Sequence, residues 1–204
     1  MLQSSHAAHA RTKQTPYFHE VSSHPLMWIF AYGSLIYRPS FPYLVRRRAY
    51  LPGWARRFWQ GSPDHRGIPG APGRVVTLVA DEREVCGGCA YQIDAALADD
   101  VLAALDAREA AGFERLHREV RSEPAGAAFA EALVYVAAAT NPHFLGPLDE
   151  RAIAAWVRRS RGPSGPNADY VLHLHDALAE LGIEDPHVGE IARWLRHEQE
   201  PVAG

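Results

Sequence analysis

The sequence predicts an α+β protein: a small, mostly antiparallel β-barrel with helices packed on it. Three observations lead there. Strand-like segments crowd the stretch from Met27 to Val136, helical spacing interrupts them once, and beyond Asn141 the periodicity becomes helical throughout. Elements segregated in this way, strands first and helices later, favour an antiparallel sheet that curls on itself over an alternating, doubly wound arrangement.

Residues 1–26 are polar, carry His6, His9, His19 and His24 at irregular spacings and show neither period, so they read as a disordered N-terminal extension, with one domain over residues 27–204. Strands are then expected at Met27–Phe30, Tyr50–Trp59, Val75–Asp81, Val85–Ile93, Leu116–Arg121 and Ala130–Ala137, separated by links rich in Gly, Pro and Asp. Arg46-Arg47-Arg48 reads as an exposed basic turn. Asp94 is placed to cap a helix whose apolar stripe is Leu97, Val101, Leu102 and Leu105; it runs to about Arg108, which leaves Glu109 at its end. Three later stripes follow. Ile153, Trp156 and Val157 form one, stopped by Gly162-Pro163; Tyr170, Val171, Leu174 and Leu178 form the next, with Asn167 as cap; Val188, Ile191, Trp194 and Leu195 form the last, opened by Asp185-Pro186.

Composition narrows the function classes. A chain of 204 residues suffices for one substantial core, with roughly 70% of the unfolded chain's surface buried. A net charge of −3, with 47% hydrophobic and 22% charged residues, gives no general attraction to nucleic acid or to an anionic membrane. No apolar run approaches the roughly 18 residues of a membrane span, and the first 26 residues lack a secretory core, so a cytoplasmic protein is expected. Cys86 and Cys89 are the only cysteines; with no second pair and with strand-like Ala90-Tyr91-Gln92-Ile93 following, they read as two thiols on or near a strand rather than a zinc half-site or redox pair. The sequence carries no signal of oligomeric state.

The stretch that organises the chain is Phe30-Ala31-Tyr32-Gly33-Ser34-Leu35-Ile36, a strand running into a tight turn. A glycine where a strand stops lets bare backbone N–H groups approach a ligand, and such a loop can hold an oxyanion or a carboxylate. Glu109 is the second focus. A carboxylate at a helix C-terminus is disfavoured by the carbonyl ends, and an apolar cleft would raise its pKa toward the range of an acid–base catalyst. The alternative is a solvated Glu109 paired with Arg108.

These residues keep company with Arg56-Arg57-Phe58-Trp59-Gln60-Gly61-Ser62, Asp64-His65-Arg66-Gly67, Pro72-Gly73-Arg74-Val75-Val76-Thr77-Leu78, Leu105-Asp106-Ala107-Arg108-Glu109 with Gly112-Phe113, and Gly162-Pro163-Ser164-Gly165-Pro166-Asn167. In that order and at those separations the chain resembles the ChaC-like γ-glutamylcyclotransferases, the family that releases 5-oxoproline from glutathione. The resemblance implies a compact barrel with helices, Glu109 as the catalytic residue, and a substrate site that includes Ala31, Tyr32, Gly33, Ser34, Leu35 and Ile36. Arg57, Arg66 and Arg74 lie in the matching blocks and suit carboxylates, because a guanidinium can make two parallel hydrogen bonds. Tyr170 corresponds to a tyrosine of the family and is either a substrate contact or a core tyrosine. Departures from the family pattern are Ala31 in place of glycine, Ala110-Ala111 in place of Lys-Gly, and Phe113 in place of tyrosine; Ala31 and Phe113 bear on substrate choice more than on reaction type.

The reaction the resemblance implies is glutathione cleavage to 5-oxoproline and cysteinylglycine, with no metal or organic cofactor. The substrate's α-amine attacks its own γ-carbonyl, so the protein has mainly to orient the chain and manage protons. The alternatives are a cyclotransferase for other γ-glutamyl amides or amines, or a γ-glutamyl-binding module without catalysis. A Ser/His/Asp relay from Asp64-His65 with Ser34 or Ser62 is disfavoured, since adjacent side chains seldom reach relay geometry and no Gly-x-Ser-x-Gly occurs. His173 and His175, two apart on a helix, point to different faces, and no phosphate-binding or dinucleotide glycine loop is present.

Overall fold

The computed structural model describes residues 26–109 and 112–197. The expected N-terminal extension up to residue 25 and the Ala110-Ala111 departure lie outside the described residues.

Five strands close into a barrel in the order β1-β3-β2-β4-β5. β1 (Met27–Ala31) pairs antiparallel with β3 (Gly73–Ile93) from Met27↔Ile93 to Ala31↔Cys89, and meets β5 (Ala128–Ala137) in parallel at Ile29↔Leu133, the contact that closes the cylinder. β4 (Phe113–Arg121) and β5 form a hairpin, and β4 joins β2 (Val45–Ser62) at Tyr50↔Arg121. Both faces of the barrel contribute to the core: Ile29, Leu51, Tyr91, Ile93, Val120 and Val134 are each almost wholly buried. The expected α+β barrel with packed helices is the fold observed.

Two expected boundaries change. The strands at Val75–Asp81 and Val85–Ile93 are one continuous strand, β3, in which Asp81–Glu84 have no register partner: Ala80 pairs with Trp54 and Val85 with Pro52. Proline brings no N–H to a ladder, so the irregularity falls there, and the bend lets a long β2–β3 ribbon wrap the barrel. Arg46-Arg47-Arg48 are not a turn. They lie on β2 opposite Tyr91, Ala90 and Cys89, and the guanidinium of Arg47 stacks on Phe129 at 4.1 Å. The cysteines lie on β3, both free and buried. Three strand residues span about 10 Å, too far for a disulfide, and burial pushes the Cys86 thiol up to about 11.

α1 (Ala98–Arg108) follows a 3-10 turn at Ala95–Leu97 whose first N–H groups are capped by Asp94, Oδ1 accepting from Ala96 at 2.9 Å. Val101 and Leu105 are buried, but Leu97 falls in the preceding turn and is exposed. α2 (Glu150–Arg159) begins at an Asp149 cap and ends before a short ribbon, β6 (Arg161–Gly162) with β7 (Gly165–Pro166). Gly162 is required there: a Cβ would lie 2.3 Å from the carbonyl oxygen of His65, so only glycine lets the ribbon press onto the Asp64–Gly67 loop. α3 (Asn167–Glu180) is capped by position Pro166, not by Asn167. The buried Asn167 amide instead accepts from the Arg74 N–H at 2.6 Å and donates to the Arg74 carbonyl at 2.8 Å, so it extends β3 as a strand partner would. α4 (Pro186–His197) opens on Asp185, whose Oδ1 accepts from Val188 N. Among the described residues no helix is long and apolar enough to cross a membrane.

His187 joins three elements. Its Nε2 accepts from the Phe58 N–H on β2 at 3.0 Å, which fixes the other ring nitrogen as the donor to Glu150 Oε1 on α2 at 2.9 Å. Burial lowers its pKa, with the Glu150 hydrogen bond opposing. The unfolded chain therefore binds a proton more readily than the folded one, and the stability held above about pH 6.5, the ordinary histidine value, is lost as pH falls through the lower folded value. His187→Ala, which strands a buried N–H, is expected to cost about 1–3 kcal/mol in urea unfolding at pH 7.5 and to flatten the acid slope between pH 7 and 5; an unchanged slope would show that His187 does not set it.

Candidate active site

A cleft of about 380 Å³ opens between the end of β1, the end of α1 and the start of α3. Of the residues singled out in the sequence, Ala31, Tyr32, Gly33, Ser34, Leu35, Arg66, Glu109 and Tyr170 line it. Ile36, Arg57 and Arg74 do not. Ile36 points into the core and its N–H is already given to the Gly33 carbonyl at 3.0 Å. Arg57 reaches the Arg56 carbonyl and Glu84 on the outside. Arg74 is buried under Trp156, its Nη1 donating to the carbonyls of Phe58 and Gly146, so it braces β2 and the segment before α2.

β1 delivers the chain into the cleft and a 3-10 turn at Ser34–Ile36 receives it. Bonds within that turn employ the N–H groups of Ile36, Tyr37 and Arg38, which leaves those of Ser34 and Leu35, at its start, without partners inside it. The Tyr32 carbonyl accepts from Arg56 Nε at 2.7 Å, and the Tyr32 hydroxyl donates to the Tyr135 carbonyl at 2.7 Å. A trans peptide points its N–H opposite its C=O, so holding the Tyr32 carbonyl on Arg56 aims the Gly33 N–H the other way. Gly33 itself has φ −125°, which any residue adopts; the reason for glycine is space, since a Cβ would come within 3.0 Å of the Tyr170 hydroxyl and 3.1 Å of a Val76 methyl. Crowding thus adds a second reason for glycine at this position.

Glu109 stands at the C-terminal boundary of α1, its N–H bonded to the Leu105 carbonyl and its side chain 17% exposed. Burial raises its pKa from the usual carboxylate value; the Arg108 and His65 charges pull it back down, and Asp64 adds a smaller upward push. The two alternatives for Glu109 therefore coexist: it is paired with Arg108 Nε at 3.2 Å and also enclosed in the cleft. Arg108, read in the sequence only as a partner of Glu109, does more. Its Nη2 donates to Ser34 Oγ at 2.6 Å, so one guanidinium joins the carboxylate to the loop. Next door, Asp106 accepts from the Tyr135 hydroxyl at 2.8 Å and pairs with Arg115, anchoring the end of α1 to β4 and β5.

The opposite wall is the Asp64–Gly67 loop. Ser62 Oγ accepts from the N–H groups of His65 and Arg66, and His65 Nδ1 lies 3.3 Å from Ser164 Oγ on the β6–β7 turn. His65 Nε2 is 3.8 Å from Asp64, too long for a hydrogen bond, and no relay forms. Arg66 is buried, donates to the Pro166 carbonyl at 3.0 Å and lies over the Tyr170 ring. Burial raises the Tyr170 pKa, so its hydroxyl stays protonated and able to donate. Among the described residues no group of three or more His, Cys, Asp or Glu side chains is arranged to hold a metal ion.

A family model described as ChaC-like protein matches residues 27–198. The chain is 41% identical over 180 residues to γ-glutamylcyclotransferase 2-3 of Arabidopsis thaliana, covering 84% of this chain and 89% of the relative. It is 40% identical over 169 residues to glutathione-specific γ-glutamylcyclotransferase 1 of Homo sapiens, covering 81% and 76%. A solved structure of a yeast γ-glutamylcyclotransferase specific to glutathione superposes with a TM-score of 0.78 at 30% identity, over 85% of this chain and 97% of that one.

Gly33→Ala tests the crowding at the loop. It is expected to lower turnover of a γ-glutamyl substrate roughly tenfold or more while the folded state persists by circular dichroism, because small displacements of aligned groups are costly. Adding Tyr170→Phe, which removes the atom the new Cβ meets, should recover part of the loss. A double variant no better than Gly33→Ala alone would place the defect elsewhere.

Proposed function

The chain belongs to the ChaC-like family, and from that membership and the cleft we propose that it is a γ-glutamylcyclotransferase that cleaves glutathione to 5-oxoproline and cysteinylglycine. The observation that carries the reading is the enclosed Glu109 carboxylate facing the Tyr32–Leu35 loop across one cleft, with Arg108 joining the two.

The reaction needs no nucleophile from the protein. The substrate's α-amine nitrogen attacks its γ-carbonyl carbon, a five-membered lactam closes, and the bond from that carbon to the cysteinyl nitrogen breaks. Glu109 takes a proton from the α-ammonium and delivers one to the departing nitrogen; the attacking nitrogen gives up its second proton as the lactam forms and the freed amine of cysteinylglycine takes one up, so the protons on the two nitrogens balance over the turnover. A carboxylate more basic than usual suits both steps: ionised it can receive, and protonated it is not so strong an acid that it refuses to keep the proton. The Ser34 and Leu35 N–H groups face the carbonyl oxygen as negative charge develops on it; one such donor is worth about 3–4 kcal/mol in comparable sites. Arg66 takes the α-carboxylate, with the protonated Tyr170 hydroxyl beside it. Holding the γ-glutamyl chain curled against these groups replaces an improbable conformation in water with the bound one. We place the enzyme in the cytoplasm, where its two free thiols stay reduced.

Purified protein supplied with reduced glutathione should release 5-oxoproline and cysteinylglycine, and Glu109→Gln should abolish turnover while leaving the unfolding midpoint little changed. Binding of glutathione without any release by the unmodified protein would remove the assignment, and faster turnover of γ-glutamyl-alanine would move it to other γ-glutamyl donors. The acid limb of kcat/KM, which reports the free enzyme, should lie above the roughly 4.3 of an ordinary glutamate. Because Arg108 lowers the Glu109 pKa, Arg108→Gln should move that limb to still higher pH; a shift toward lower pH would mean that another group titrates.

A further inference from the structure

The Arg, His, Asp and Glu side chains that line the cleft are Arg38, Asp64, His65, Arg66, Arg108 and Glu109. Arg108 is neutralised by Glu109, and His65 sits between Asp64 and Ser164. Arg66 and Arg38 have no ion-pair partner among the described residues, and Arg38 has no side-chain hydrogen bond there either. The two differ in depth. Arg66 is 9% exposed and fixed by the Pro166 carbonyl, whereas Arg38 stands exposed at the rim, its backbone N–H tied to the Ser34 carbonyl at 2.8 Å.

Glutathione brings two carboxylates and one ammonium, so the two arginines without acidic partners match its two anionic ends. Chemistry decides which end goes where. The α-carboxylate shares a carbon with the attacking amine, and ring closure draws it to the reacting centre, the depth at which Arg66 lies. The glycine carboxylate ends a dipeptide that extends about 7 Å from the scissile nitrogen and must leave after cleavage. A rim cation on a flexible stem suits that end.

We propose that Arg38 binds the terminal carboxylate of the leaving cysteinylglycine, so that preference for a γ-glutamyl peptide over a γ-glutamyl amine is set at the mouth of the cleft. The inference rests on the cyclotransferase reading above. Arg38 is a specificity-determining residue in this scheme and takes no part in proton transfer. Its backbone belongs to the same turn that presents the Ser34 and Leu35 N–H groups, so the distance between the reacting centre and the carboxylate clamp is set by one short segment.

The test compares 5-oxoproline release from glutathione and from its glycine carboxamide, using the unmodified protein, Arg38→Met and Arg38→Lys. The unmodified protein should favour glutathione roughly tenfold in kcat/KM, through KM, the scale of one exposed charge-assisted hydrogen bond. Arg38→Met should raise KM for glutathione roughly tenfold and move KM for the carboxamide less than about twofold, and Arg38→Lys should restore part of the preference. Equal KM for both donors in the unmodified protein, or a penalty in Arg38→Met that falls on both alike, would overturn the proposal. Absence of 5-oxoproline from either donor with the unmodified protein would instead overturn the cyclotransferase reading and this inference with it.

Discussion

A guanidinium with no access to water, that of Arg56, holds the molecule's parts in register. Its Nε donates to the Tyr32 carbonyl, Nη1 to Asp185 Oδ2 at 2.7 Å, and Nη2 to the Gly87 carbonyl. Stripping water from such an ion costs several kcal/mol, and the cost is met only because every nitrogen finds an oxygen; removing one ionic partner from such a pair typically costs about 3–5 kcal/mol. Asp185 serves twice, since its other oxygen caps α4. The first strand's exit, the middle of β3 and the last helix are therefore fixed by one side chain on β2. The loop that faces the cleft inherits its geometry from that arrangement rather than from its own four residues.

The same economy governs the cleft's electrostatics. Glu109 is drawn in two directions, upward by burial and downward by Arg108, and burial is the larger, so its pKa stands above the usual carboxylate value. Arg108 spends its remaining donors on Ser34 and Ser40, so the group that tempers the base also keeps the loop beside it. A site assembled for a substrate that supplies its own nucleophile needs little more than these positions.

Much of this was legible in the sequence, and the misses share physical causes. Period-2 and period-3.6 patterns located every strand and helix of the barrel and its helical layer, because those patterns follow directly from which face is buried. They read Glu82–Glu84 as a break between two strands, since a polar run looks the same whether it ends a strand or bends one. They also gave no sign of which arginines the fold buries. Yet Arg56, Phe58 and Gln60 on β2 are all buried, and Arg74 is as buried as its apolar neighbours Val76 and Leu78. Asn167 looked like a helix cap because asparagine usually is one, and only the approach of β3 from 93 residues away reveals its use as a strand partner. At the site, resemblance to a family marked the loop and Glu109. Which arginine turns inward and which braces the scaffold depends on long-range packing that spacing cannot carry.

The span of the Arg56–Asp185 bridge has a consequence for the chain as it is made. The two residues are 129 positions apart, and the Tyr32–Tyr135 bond that closes the end of β1 joins residues 103 apart. On a ribosome adding about 5–20 residues per second, the cleft loop waits on the order of ten seconds for the residues that fix it. A nascent or prematurely terminated polypeptide ending before α4 would carry the loop and Glu109 without the geometry that unites them. Competence thus arrives at completion, and an unfinished translation product would not consume substrate.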